Sequence, residues 1–170
     1  MSKNETKSNV SYSGTVKIKV LNGTKVVKSG KAHNSGTQWL FQVLASSILG
    51  NDERTNMPHY LSIFEVDDGV ETELINNRVP LTSGSFRAEN GGVVATFTAI
   101  IPYKSLSSRS SDHTISRIKM YSSSDPERET MLAWVDPPLS SEWVISKDTT
   151  NNIAIEWDMT FSNQSTTSAS

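Results

Sequence analysis

A mainly β domain, an antiparallel β-sandwich of about nine or ten strands with one buried helix after its first hairpin, is the fold class this sequence predicts. Three observations predict it. Most of the chain alternates apolar and polar residues with a period of two, as strands with one buried face must. Turn residues (Asn-Gly, Asp-Gly, Ser-Gly) punctuate the alternating runs. One stretch alone, His33 to Gly50, reads instead with helical spacing. At 170 residues, 35% hydrophobic, with a net charge of −2, the chain can close a sizeable core as a single domain. The expected organisation is a flexible N-terminal arm over residues 1–13, a β-sandwich domain over 14–161 with a helix at 37–49, and a flexible tail over 162–170.

The opening element is a hairpin. Thr15 to Leu21 alternates Val16, Ile18 and Val20 against Lys17 and Lys19, and Asn22-Gly23 precedes Thr24 to Lys28. Asn-Gly between alternating runs predicts a type I′ turn, which needs positive φ at both central positions. Lysines on the outward face also guard an edge against stray pairing.

The helix follows, with Asn34 or Ser35 as its N-cap and Gly50 just past its end. Leu40, Val43, Leu44 and Ile48 fall at helical spacing, while Trp39, Phe41 and Leu49 spread the apolar surface over most of the circumference. Such a helix is either a plug across one end of the sandwich or a surface shared with another subunit, and Trp39, Phe41 and Leu49 are the candidate interface residues.

Beyond a polar loop at residues 51–58, Tyr60 to Asp67, Asn77 to Leu81, Ser85 to Glu89 and Val93 to Ile101 read as strands, with Asn90-Gly91-Gly92 marking a tight hairpin. Thr114 to Tyr121, Met131 to Val135, Glu142 to Ser146 and Asn152 to Phe161 complete the set. Asp136-Pro137-Pro138 ends its strand because proline cannot donate to a ladder. The last strand alternates most clearly: Ile153, Ile155, Trp157, Met159 and Phe161 share one face.

Charge is unevenly divided. Residues 1–50 hold seven Lys and one acid (Glu5), so they carry +6 and the remainder −8. Neighbouring strands from the two ends of the chain can pair these charges, and Lys17 and Lys19 are expected to face Glu156 and Asp158 across a ladder of first and last strands. The alternative, a nucleic-acid patch, lacks arginines and interleaved aromatics, and nucleic acid is not an expected partner.

Chemistry-bearing motifs are sparse. The chain has no cysteine, which removes thiolate chemistry and Cys-based zinc and suits a reducing cytoplasm. His33, His59 and His113 are not spaced as metal ligands, and Asp112-His113 has no nucleophile elbow to serve. Asp67-Asp68-Gly69 lacks the spacing of a calcium loop, and Lys28-Ser29-Gly30-Lys31 does not match a phosphate-binding loop. The reading is therefore no enzyme, no cofactor, no metal and, with no long apolar run, no membrane span. Trp157 is in phase with the core, whereas Trp134 and Trp143 flank Pro137-Pro138 as the candidate ligand-binding pair, a sugar platform if exposed.

The run from Val16 to Gly50, with its Lys-rich hairpin, His33-Asn34-Ser35-Gly36-Thr37 and a Trp-Leu-Phe helix ending Leu49-Gly50, resembles small virion proteins of tailed bacteriophages. Met57-Pro58-His59-Tyr60-Leu61-Ser62-Ile63 is also similar to the point where such proteins enter their next strand. The resemblance covers roughly the first 40% of the chain. It implies a β-sandwich structural protein of the virion, made in the host cytoplasm, in the head (capsid decoration), neck or tail. Its partners would be copies of itself, as a homo-oligomer, and other virion proteins. The alternative expectation is a carbohydrate- or host-receptor-binding β-sandwich module.

Overall fold

The computed structural model describes residues 7–38, 40, 42, 57–89, 92–107, 112–125, 131–136, 143–146 and 151–166. Apart from helical backbone at Gln38, Leu40 and Gln42, the regular elements among them with stated bounds are strands and one 3₁₀ turn, Tyr103–Ser105. The strands are β1 (Lys7–Asn22), β2 (Lys25–Gly36), β3 (Tyr60–Asp67), β4 (Val70–Glu73), β5 (Val79–Pro80), β6 (Ser83–Glu89), β7 (Gly92–Ile101), β8 (His113–Thr114), β9 (Arg117–Tyr121), β10 (Met131–Val135), β11 (Val144–Ile145) and β12 (Asn152–Thr166). Every pairing is antiparallel.

Strand order along the large sheet is β4-β3-β9-β10-β2-β1-β12-β7-β6, with β5 also on β3; β8 and β11 form a separate pair. β2 joins the two halves of this order. It pairs with β1 from Lys25 to Asn34, and then Ser35 and Gly36 pair with Trp134 and Ala133 of β10. One apolar cluster draws on both halves: Val16, Ile18, Ile155, Trp157 and Ala99 from one, and Leu61, Ile63, Ile118, Met120 and Val135 from the other. Burying each such side chain contributes about 1.5–3 kcal/mol, so this shared core is the main force holding the halves together.

Among the described residues the ladder between the first and last strands is the longest, from Lys7↔Thr166 to Leu21↔Asn152. Pairing therefore starts within the segments the sequence reads as arm and tail. Lys17 stands opposite Glu156 as expected, with Nζ 2.5 Å from Oε1 and 3.6 Å from an Asp158 oxygen. Lys19 does not face Asp158. The register sets it against Ala154 and sets Asp158 against Thr15, so of the two lysines it is Lys17 that lies near both acids.

One turn needs correction. In the first hairpin Asn22 pairs with Lys25, which makes Gly23 and Thr24 the loop. Gly23 has φ +60° and is the one residue of that loop with positive φ, the pattern of a type II′ turn with Gly at its first central position. The register then skips Val27 where Val20 and Leu21 meet β2, a bulge the Asn-Gly signal did not announce. The type I′ pattern occurs instead at Asp68-Gly69, φ 47° and 79°, between β3 and β4.

The expected helix at 37–49 falls chiefly outside the described residues; Gln38, Leu40 and Gln42 have helical backbone. Asn34 and Ser35, the expected N-caps, belong to β2. Thr37 takes the N-cap role, its Oγ1 accepting the Leu40 N–H at 3.2 Å and donating to the Leu132 carbonyl at 2.7 Å. Leu40 is buried against Leu132, with Tyr12 and Met57 beside them.

Candidate functional site

Register shows which side chains share a face with the core. Val16, Trp157 and Met159 are buried in it; Phe97 lies opposite Trp157, Ala95 opposite Met159 and Val93 opposite Phe161. The same face continues onto β6 as Gly84, Phe86 and Ala88, opposite Phe97, Ala95 and Val93. Burial falls away along this path. Ala95, Phe97 and Phe161 are partly buried against the core, Val93 is 46% exposed and Phe86 is 83% exposed. The core-facing side of the sheet thus runs past its cover and ends in an open aromatic on an edge strand.

The opposite side of these strands buries Val94 but is otherwise largely polar and tightly cross-linked. Thr96 donates to Asp158 at 2.5 Å and accepts from Arg87 at 3.0 Å, while Arg87 also lies 3.2 Å from Glu89 and 3.7 Å from Asp158. With Lys17 this makes one charged ladder across β1, β12, β7 and β6. Glu156 holds the Lys17 ammonium above its ordinary pKa, against a smaller opposing effect of desolvation.

A second network braces the far half. Arg117 donates to both oxygens of Asp136, at 2.5 and 2.9 Å, and to Glu71 at 3.0 Å; Lys119 pairs with Glu71 and lies 4.5 Å from the Phe64 ring centre. Arg78 stacks 3.5 Å over Tyr121 and donates to the carbonyls of Ser123 and Asp125, at 2.9 and 2.8 Å. Burial pushes the Tyr121 hydroxyl well above its usual pKa, with Arg78 opposing. These groups hold segments together rather than presenting an open site.

Among the described residues no cluster of three or more His, Cys, Asp or Glu could hold a metal, and no helix is long and apolar enough to cross a membrane. His33 lies on β2, His59 just before β3 and His113 on β8, so the fold does not gather them. His113 has a close carboxylate partner. That partner is Glu65: its Oε2 lies 2.9 Å from His113 Nδ1, and its Oε1 accepts the Thr114 N–H at 2.9 Å.

Compared with known proteins, the chain matches no family model, no curated protein and no solved structure.

The aromatic pair is the clearest correction at the site level. Trp143 is only 2% exposed and lies in the core over Gly30, while Trp134 is half-buried on β10, so the two make no open sugar platform. Trp39, Phe41 and Leu49 lie outside the described residues. A cleft of about 110 Å³ between the β2 bulge (Val27, Lys28), Val144 and Ile153 is well short of the ~300 Å³ at which small-molecule pockets begin. Phe86 was the residue to notice in the sequence. It is the one large apolar side chain in Ser-Gly-Ser-Phe-Arg-Ala-Glu, a strand with too little apolar content to bury it.

Proposed function

We propose that this chain is a structural subunit of a bacteriophage particle, a head, neck or tail component that works by assembling with copies of itself and other virion proteins. In this reading the folded sheet is a sandwich closed on its shared core, and the helix beginning after Thr37 is buried at one end. It is made in the host cytoplasm, ends in the virion and turns over no substrate.

The observation that carries the reading is the paired ribbon of the chain's two ends. Among the described residues β2 accompanies β1 only from Gly14 onward, and β7 accompanies β12 only as far as Ser162, yet β1 and β12 stay paired out to Lys7↔Thr166. A two-stranded ribbon is marginal in water by itself, so a projecting one gains stability from a neighbour that covers it. Subunits that interlock in a shell or tube need such projections. The glycan- or receptor-binding alternative loses its main support with the burial of Trp143.

The test is the mass of the purified protein across concentrations, followed by its copy number in isolated particles. Assembly beyond 18.7 kDa and a fixed, multiple copy number are expected. A protein absent from particles that binds a glycan through Trp134 would replace this reading with the binding module.

A further inference from the structure

Among the described residues the two edges of the large sheet are defended very differently. β4, at one end, is four residues long, and two of the four are Glu71 and Glu73, engaged by Arg117, Lys119 and Ser62. Short, acidic edges resist stray pairing. β6, at the other end, is seven residues long, pairs with β7 without a bulge, and contains neither Pro nor Lys. Its Arg87 is tied back onto Thr96 and Asp158 of its own sheet, and Phe86 stands open. An uninterrupted strand edge beside an exposed aromatic is a template for another strand.

The occupant follows from the pattern of β6 itself. Read outward from Phe86, the strand has the same character in both directions: Ser85 and Arg87 polar, Gly84 and Ala88 small, Ser83 and Glu89 polar. Laid antiparallel on a second copy with Phe86 opposite Phe86, it sets Arg87 against Ser85, Ala88 against Gly84 and Glu89 against Ser83. No like charges stand directly opposite, and the strand's two ionised side chains sum to zero. Two exposed phenyl rings then cover each other, flanked by residues small enough to let them approach. This is the self-complementarity that a two-fold interface requires.

We propose that β6 pairs edge to edge with β6 of a second copy about a two-fold axis at Phe86, making one continuous sheet across two subunits. The proposal rests on the assembly reading above and names one of its faces. Stable interfaces bury about 1,200–2,000 Å², more than seven paired residues supply, so this contact works alongside others or dimerises weakly by itself.

The chain has no cysteine, which gives a direct test. Opposed residues in an antiparallel pair have Cα atoms about 4.5–5.5 Å apart, within the span of a disulfide. Phe86→Cys should therefore cross-link into a dimer under mild oxidation, at concentrations where Val70→Cys on the β4 edge stays single. Phe86→Lys, which opposes two ammonium groups, should lower the wild-type mass in sedimentation while leaving the melting temperature unchanged. An assembly that Phe86→Lys does not alter, with no cross-link at residue 86, overturns β6 pairing and leaves assembly through other faces standing. A wild-type protein that stays at single-chain mass at every concentration, and is absent from particles, overturns both.

Discussion

Gly30 lies on β2 directly beneath the Trp143 indole, and a Cβ built there would sit 3.0 Å from the ring atoms Cε2 and Nε1. The ring is locked in the core and cannot retreat cheaply. Gly30→Ala should accordingly cost about 1–3 kcal/mol, read as a lower urea midpoint; an unchanged midpoint would mean the indole moves freely. Glu65 supplies a pH dependence. Burial pushes its carboxyl up, but the bonds from His113 and the Thr114 N–H outweigh this and hold its pKa below the ordinary value. The folded value is depressed, so this group's stabilisation is complete above its unfolded pKa of about 4.3 and is lost as pH falls through the folded value. Stability measured against pH should drop more gently in that acid range for Glu65→Gln than for wild type. Among single residues, the role of Trp157 was legible because Ile153, Ile155 and Met159 fix its phase. That of Trp143 was not, because the short β11 beside it shows no alternation and its burial depends on a glycine more than a hundred positions away.

Elements were readable where side chains alone decide them and obscure where a partner strand does. β3 and β10 have the expected limits, since their apolar runs match buried positions. β4 escaped notice because Val70-Glu-Thr-Glu offers a single apolar residue; its usable signal was the Asp68-Gly69 turn before it. Both strands are mostly polar at the Lys7↔Thr166 end of the β1–β12 ladder, so composition suggested an arm and a tail, whereas the backbone ladder continues regardless of what the side chains bury. The β3–β4 turn depends on left-handed backbone, with Gly69 at φ 79° and no atom near its missing Cβ. Gly69→Ala should cost about 1–2 kcal/mol from conformation alone. Hydrogen exchange on β4 would report it first, and unaltered protection there would show that the turn tolerates a side chain.

At the scale of the molecule, the mainly β class and the charge split between chain ends were visible beforehand, because period-two alternation and net charge survive without knowledge of topology. The pairing order was not visible. Nothing local in Ser35-Gly36 announces that β2 leaves β1 for β10 and so links the two halves. The pairing of β1 with β12 also has a kinetic side, for it brings together segments separated by almost the whole chain. Closing so long a loop precedes any reward from its contacts, and β proteins of such non-local topology refold in milliseconds to seconds.

That same ladder makes the chain nearly a ring. Lys7 and Thr166 are opposed partners, so the two ends of the fold stand about one strand spacing apart. A short glycine-serine linker could join them, with new ends opened between Asp68 and Gly69 in an exposed turn. In that circular permutant the most distant pairing of the native order becomes a local hairpin. It should retain the wild-type circular dichroism and refold faster in stopped-flow measurements. An equal or slower rate would place the limiting step elsewhere, at the β2 switch between the two halves.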